Sequence, residues 1–208
     1  IEVRPPLGDD WTMRLGADYR RSEGDLLEDA YNAVSGLRTE ERFAGGVNTN
    51  FGLFVENDLE LGPVTLTGGL RADRYSIEDG YYRTVNSAGT TTRNDIYAER
   101  SDWEVTWRAG ALVHANEVVS LRAAAYTGLR LPTLNELYRP FAVFPVTTQA
   151  NAALVPEKLE GYEAGIDFAV DEGLRFGVTV FDNQVNNAIA NVTIGTNLRQ
   201  RQNLDAIK

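Results

Sequence analysis

At 208 residues the chain is long enough for one large domain or for a piece of something larger, and its lack of cysteine excludes disulfides and thiolate metal sites. Twenty Lys and Arg against thirty Asp and Glu give a formal charge of −10, which disfavours binding to nucleic-acid phosphates. A mean hydropathy of −0.30 and the absence of a long apolar run exclude a transmembrane helix. They do not exclude a transmembrane barrel, whose strands spend half their residues on a polar face.

In chain order, apolar and polar residues alternate with period two, the signature of strands with one face of each kind. The first predicted strand sets Trp11, Met13, Leu15, Ala17 and Tyr19 against Thr12, Arg14, Gly16, Asp18 and Arg20. The second sets Val47, Phe51, Leu53, Val55 and Leu59 against Asn48, Asn50, Gly52, Glu56 and Asp58. In the third, Val64, Leu66, Leu70 and Ala72 oppose Thr65, Thr67, Arg71 and Asp73. The fourth opposes Trp103, Val105 and Trp107 to Glu104, Thr106, Arg108 and His114, and the fifth opposes Val119, Leu121 and Ala123 to Ser120, Arg122 and Arg130. The sixth alternates Tyr162, Ala164, Ile166 and Phe168 with Glu163, Gly165 and Asp167. The seventh alternates Leu174, Phe176, Val178 and Val180 with Arg175, Gly177 and Thr179, and a polar eighth is expected over 198–208.

Short turns are expected at Leu61-Gly62-Pro63, Ala115-Asn116-Glu117 and Asp171-Glu172-Gly173, and long loops over 22–42, 76–99, 130–160 and 187–198. Short turns on one side and long loops on the other suit a barrel that meets a different compartment at each rim. A soluble sandwich or lipocalin-like barrel also alternates, with its apolar face inside. Three features favour the membrane. The strands, about 9 to 13 residues long, suffice for a tilted crossing and exceed the usual soluble strand. Long connections recur on one side only, which compact soluble domains avoid. Aromatics sit near the ends of the apolar faces, as in an interfacial girdle: Trp11 and Tyr19, Trp103 and Trp107, Tyr162 and Phe168. The expected fold class is all-β: an antiparallel up-and-down transmembrane β-barrel segment of about eight strands, with short periplasmic turns and long extracellular loops. On this reading Arg14, Asp18, Glu56, Arg71, Glu104, Arg108, Arg122, Glu163 and Asp167 face the lumen.

Three segments go beyond pattern. Thr127-Gly128-Leu129-Arg130-Leu131-Pro132-Thr133-Leu134-Asn135-Glu136-Leu137-Tyr138 resembles the strand-to-loop passage of TonB-dependent outer-membrane receptors, where Arg, a small residue, Pro and Thr precede Glu-Leu-Tyr. Asn151-Ala152-Ala153-Leu154-Val155-Pro156-Glu157, followed by Tyr162-Glu163-Ala164-Gly165, is similar to that family's Asn-Pro-x-Leu-x-Pro-Glu and Tyr-Glu-x-Gly passage. Arg201-Gln202-Asn203-Leu204-Asp205-Ala206 resembles the Arg-Gln-Asn stretch that follows the next hairpin. Leu131 departs from the usual small residue and Ala152 from a frequent Pro. The resemblance covers residues 120–208, and the first half agrees in strand style alone.

The resemblance implies a barrel of about 22 strands in an intact receptor, located in the bacterial outer membrane. It also implies a plug domain, an energy-coupling periplasmic protein, outer-membrane lipid around the wall and a small-molecule ligand, a metal chelate such as a ferric siderophore or cobalamin. Residues 1–208 are then expected to be a partial barrel without plug, signal peptide or terminal strand, since the chain opens at Ile1 without a leader and stops at Ala206-Ile207-Lys208 inside a strand-like pattern.

Within the first motif, Pro132 lacks an N–H and is expected to end ladder pairing, while Asn135 and Glu136 are placed to cap a short helical turn through Leu137 and Tyr138. Arg130, Asn135, Glu136, Tyr138, Phe141 and Phe144 are the candidate ligand contacts. The competing reading gives the motif a conformational role at the loop base and folds Phe141 and Phe144 back onto their own loop. Catalysis, a resident cofactor and a metal site are not expected: His114 stands alone, and Glu56 and Asp58 are solvated neighbours. Two other functions stay open, a self-contained small outer-membrane barrel with a structural or adhesive role, and a soluble carbohydrate-binding or hydrolytic β-domain.

Overall fold

The computed structural model describes residues 1–32, 34–170 and 173–207. Among these residues the elements run β1 (Glu2–Val3), β2 (Trp11–Tyr31), β3 (Arg38–Leu61), β4 (Val64–Asn86), β5 (Thr91–Ile96), β6 (Arg100–His114) and β7 (Val119–Arg130). They continue with α1 (Leu134–Tyr138), β8 (Phe141–Val143), β9 (Val146–Gln149), β10 (Glu157–Ala169), β11 (Arg175–Gly195) and β12 (Leu198–Ile207). The strands form one sheet in the order β1-β2-β3-β4-β6-β7-β10-β11-β12-β9-β8, with β5 paired to β4 beside that path. Among the described residues no ladder joins the β1–β2 edge to β12, so the sheet is an open wall. No described helix is long and apolar enough to cross a membrane.

Tight turns close one end. Gly62, at φ 62°, links β3 to β4. Asn116 Oδ1 accepts the N–H groups of Val118 and Val119 at 2.9 and 2.8 Å, an Asx turn between β6 and β7. Asp171 and Glu172, of the third expected turn, lie outside the described residues, as does Lys208 at the end of the eighth predicted strand.

The other end departs from expectation. There are more than eight strands, and much of the supposed loop is strand that continues past the apolar zone. β2 and β3 stay paired from Trp11↔Leu59 up to Tyr31↔Arg38, which turns most of 22–42 into a tall hairpin. β4 runs to Asn86 and carries β5 beside it, and β11 runs to Gly195. Period-two reading fails there because the faces change character: Arg21, Glu23 and Asp25 follow Tyr19 on the formerly apolar face of β2, while Leu26, Ala44, Ile77 and Tyr82 turn the formerly polar face apolar. In β4 a bulge adds a second cause. Gly45 pairs with Tyr81 but Val47 pairs with Glu78, leaving Asp79 as an extra residue at φ 51°. The face that carries Arg71, Asp73, Tyr75 and Ile77 therefore continues through Gly80, Tyr82 and Thr84. Sequential order is also interrupted where β4 pairs directly with β6 and β7 with β10, and antiparallel pairing breaks where β9 joins β12 in parallel from Leu198↔Thr147 to Gln200↔Gln149.

Along the paired strands each face keeps its own chemistry. Leu15 pairs with Val55, Leu53 with Ala72, Leu70 with Trp107 and Leu121 with Ile166. This apolar face is bare: Leu70 is 52% exposed and Val178 59%. A continuous apolar surface of this extent is far more than a soluble monomer leaves open to water. The buried cluster lies on the opposite, polar face at the long-connection end, where Tyr75, Ile77 and Tyr82 of the wall meet Leu137, Tyr138 and Leu154.

The polar face is laced with ion pairs between strands. Arg14 reaches Glu56 at 3.1 Å and Arg108 reaches the same carboxylate at 2.7 Å. Arg71 is bidentate to Asp18 at 2.6 and 3.0 Å and also holds Asp73, which is 4% exposed and takes a further bond from Asn50. Gly52 opposite leaves the space in which the Arg71 guanidinium lies flat on the wall. Arg122 binds Asp167 at 2.9 Å over Gly165, and Lys158 reaches Glu104 at 2.7 Å. Glu163 shares this face, with Ala124 and Phe181 as its cross-strand neighbours.

Breaking these pairs should not cost the same everywhere. Arg71→Met strands the buried Asp73 and should destabilise the wall by about 2–3 kcal/mol. Arg108→Met leaves Glu56 with Arg14 and should cost under about 1 kcal/mol. Urea unfolding in lipid vesicles checks both, and equal losses would contradict the ranking.

Candidate functional site

Between β7 and β10 the chain folds back over the polar face. β7 ends at Arg130, and Pro132, which cannot donate to a ladder, follows immediately. Thr133 then caps α1. Its hydroxyl oxygen accepts the Glu136 N–H at 3.2 Å, and Glu136 Oε2 accepts the Thr133 N–H at 2.8 Å, a complete capping box. The cap is thus Thr133 with Glu136. Asn135, expected to share that role, instead offers its carbonyl to Arg201 Nη1 at 2.6 Å.

Arg130 is the hub of the fold-back. It holds Glu136 at 3.0 Å and also bonds Glu157, the first residue of β10. Glu157 Oε1 in turn accepts the Ile189 N–H at 2.6 Å. Asn151 Nδ2 donates to the Arg201 carbonyl at 2.9 Å. Asn203 exchanges two bonds of 3.0 Å with the backbone of Val155 and donates to the Asn187 carbonyl at 2.6 Å. The three sequence motifs therefore meet in a single clasp that ties the loop to β10, β11 and β12. Arg139 bonds Glu28 at 2.9 Å and Asn48 donates to the Pro132 carbonyl at 3.2 Å, which anchors the same loop to β2 and β3.

The six candidate contacts separate into two environments. Tyr138 is 3% exposed: it stacks on Tyr97 with centroids 5.0 Å apart and lies over Gly80, where an added Cβ would meet its ring. Arg130, Asn135 and Glu136 are engaged in the clasp. Phe141 is half-buried beneath the Arg201 guanidinium, 5.0 Å from its centroid, whereas Phe144 is 94% exposed. The loop has neither folded away entirely nor opened entirely.

Beside the clasp lies a recess lined by Tyr82, Arg93, Tyr97, Tyr138, Gln149 and Gln200. Arg93 lies over the Tyr82 ring at 4.9 Å and pairs with Asp95. Its volume of about 170 Å³ is below the ~300–1,000 Å³ of a small-molecule site. It has room for one ring of a ligand and not for a whole chelate. Tyr82, Arg93 and Tyr97 are not singled out by sequence because 76–99 reads as a loop: Tyr82 lies past the bulge in β4, Arg93 is in β5 and Tyr97 is in the connection to β6. Among the described residues no cluster of His, Cys, Asp or Glu is arranged to hold a metal. His114 meets Ser120 Oγ at 2.9 Å at the opposite, short-turn end.

Burial pushes the Glu136 carboxyl up, but the Arg130 and Thr133 bonds more than offset it and hold the group below its ordinary value of 4.5. A carboxylate lowered by folding stabilises the clasp above that value, and the contribution is lost as pH falls through the folded value. Glu136→Gln should cost about 1–2 kcal/mol at neutral pH. It should also flatten the acid dependence of proteolysis in segment 139–149. Unchanged acid dependence in the variant would remove Glu136 from the clasp.

A family model described as TonB dependent receptor-like, beta-barrel matches residues 3–208. The vitamin B12 transporter BtuB of Vibrio vulnificus (strain CMCP6) is 25% identical over 182 residues, which is 86% of this chain and 23% of that protein. The copper transporter OprC is similar in structure with a TM-score of 0.72 at 21% identity, over 95% of this chain and 31% of its own. The ferric yersiniabactin uptake receptor FyuA from Yersinia pestis gives 0.66 at 14% identity, over 88% of this chain and 27% of its own. The chain spans roughly a quarter to a third of these relatives' lengths.

Proposed function

Because this chain belongs to the TonB-dependent receptor β-barrel family, whose members are outer-membrane transport receptors, we propose that it supplies wall and outer loops to a receptor that takes up a scarce nutrient as a metal chelate. A ferric siderophore or a cobalamin is the substrate class in view. The similar proteins bind chemically related cargo by their names: vitamin B12, copper and ferric yersiniabactin. In this reading the ion-paired face lines the lumen and meets a plug domain, and a periplasmic partner supplies energy. The bare apolar face meets lipid between two aromatic edges. Trp11, Phe168 and Phe176 mark the short-turn side and Tyr19 and Trp103 the other, with Trp107 two rows inside it and Tyr162 in the middle of β10.

The observation that carries the proposal is the clasped loop. It stands at the long-connection rim, the one that reaches the outside in such a barrel, and it leaves an aromatic side chain unburied. Arg130, Asn135, Glu136 and Tyr138 serve ligand capture by holding the loop in place. Phe141 and Phe144 offer apolar area, and the recess at Arg93 and Tyr97 offers donors beside it.

The roles separate by substitution in the intact receptor. Phe144→Ala should weaken ligand binding several-fold with assembly unchanged, because replacing a side chain that is 94% exposed changes stability by about 0.5 kcal/mol or less. Tyr138→Ala should instead destabilise the barrel by about 3 kcal/mol or more, with affinity falling as a consequence. Leu70→Arg and Val178→Arg should each cost about 2–4 kcal/mol in lipid if they lie near the bilayer midplane. Full affinity and uptake in the Phe144 variant would leave the loop with a shaping role alone.

A further inference from the structure

One cross-strand row on the apolar face contains a cation. Tyr19 pairs with Phe51, Phe51 with Arg74 and Arg74 with Trp103, so four strands set three aromatic rings and one guanidinium side by side. The next row towards the short turns is apolar, with Ala17, Leu53, Ala72 and Val105. The next row towards the long connections holds Arg21, Thr49, Ser76 and Ser101, and beyond it come Glu23, Val47 and Glu78. Arg74 thus stands at the boundary where this face changes from apolar to polar.

Its partners differ from those of the ion-paired arginines, and its place at the edge of the apolar zone separates it from Arg83, which lies over the Phe43 ring further up the same strand. On the opposite face Arg14, Arg71, Arg108, Arg122 and Arg130 all hold carboxylates. In the neighbouring row Arg21 is taken by Glu23 at 2.5 Å. Arg74 is exposed, lies 5.9 Å from the Trp103 ring centroid and donates from Nη2 to Ser101 Oγ at 3.2 Å. Among the described residues it has no carboxylate partner, so its other donors and its charge are unspent. A guanidinium without a carboxylate, held against an indole at an apolar–polar boundary, is suited to an anion that offers two oxygens to its fork, such as a phosphate, at that depth.

We infer that Arg74 anchors the phosphate of a phosphorylated glycolipid in the outer leaflet, with Trp103, Tyr19 and Phe51 against the upper acyl chains. The inference rests on the reading that the apolar face meets lipid. Depth and charge choose the occupant. A phosphate is the anion a bilayer presents where acyl chains end, and the long-connection rim faces the outer leaflet. The hydroxyls of Thr49, Ser76 and Ser101 lie one row further out, Thr49 bonded to Ser76 and Ser101 accepting from Arg74, and their remaining hydrogen-bonding capacity is where a sugar headgroup would sit. Glu23 and Glu78 beyond them disfavour any ligand that carries its anions higher.

The test uses the intact receptor in nanodiscs, titrated with lipid A carrying its phosphates, with dephosphorylated lipid A and with phosphatidylglycerol. Wild type should prefer phosphorylated lipid A, and Arg74→Gln should weaken that binding about five- to tenfold. Arg74→Lys should lose less, because the charge remains. Dephosphorylated lipid A should bind both Arg74→Gln and wild type equally weakly. Equal affinity of wild type and Arg74→Gln for phosphorylated lipid A overturns the inference, and phosphatidylglycerol binding as tightly as lipid A overturns the glycolipid assignment. A spin label at Val105→Cys separates the two levels of the argument. A label in contact with water and not with lipid overturns the lipid-facing reading and this inference with it. A lipid-exposed label together with an indifferent Arg74→Gln overturns this inference alone.

Discussion

A backbone amide in hydrocarbon has no water to bond, so every segment that crosses must find its partners in the chain itself. The sheet answers that constraint. β2 to β4, β6, β7, β10 and β11 run long and paired, and the cross-strand rows keep apolar residues beside apolar residues. Once pairing is obligatory, period two divides every strand into two surfaces, and a one-residue slip would exchange them. The polar surface then has its own problem, since charges close to a low-dielectric wall need neutralising. The strands solve it by reaching across one another, Arg71 to Asp18 and Asp73, Arg122 to Asp167. Glycines such as Gly52 and Gly165 provide the room in which those long side chains lie flat.

The loop end uses the same polar surface differently. Where the wall rises past the apolar zone, Tyr75, Ile77 and Tyr82 replace charges, and the segment after β7 packs onto them. The clasp gives that packing its direction. Arg130 joins the end of one strand to the start of the next through Glu136 and Glu157, and Arg201 and Asn203 bring the following hairpin into the same bonds. A loop held at so many points keeps a defined shape while its tip stays open.

The part of this legible in sequence is the part governed by period two. Residues 11–20, 47–59, 64–73, 103–113, 119–130 and 162–169 announce their faces because each side chain meets one of two unlike environments. The extensions do not, because Arg21, Glu23 and Asp25 stand in the same medium as their neighbours across the strand, and the Asp79 bulge shifts the phase in β4. The clasp residues were visible as motifs, yet their mutual bonds were not: Arg130 and Glu157 are 27 positions apart, and Asn151 and Arg201 are 50 apart. The parallel pairing of β9 with β12 follows from where the loop lands, and nothing local in Val146–Gln149 encodes it. Arg74 escapes a period-two reading because it sits one same-face step beyond Ala72, the last apolar residue of the predicted third strand.

The central claim is that the two faces of one continuous strand meet lipid and water in alternation, and a cysteine scan along β4 from Leu66 to Asp73 tests it most directly. The chain has no native cysteine to interfere. In reconstituted receptor, labels at 66, 68, 70 and 72 should be quenched by a lipid-soluble agent and protected from a water-soluble one. Labels at 67, 69 and 71 should show the reverse, and the buried position 73 should respond to neither. An inverted pattern, or positions on both faces responding alike, would contradict alternate exposure of β4 to lipid and water.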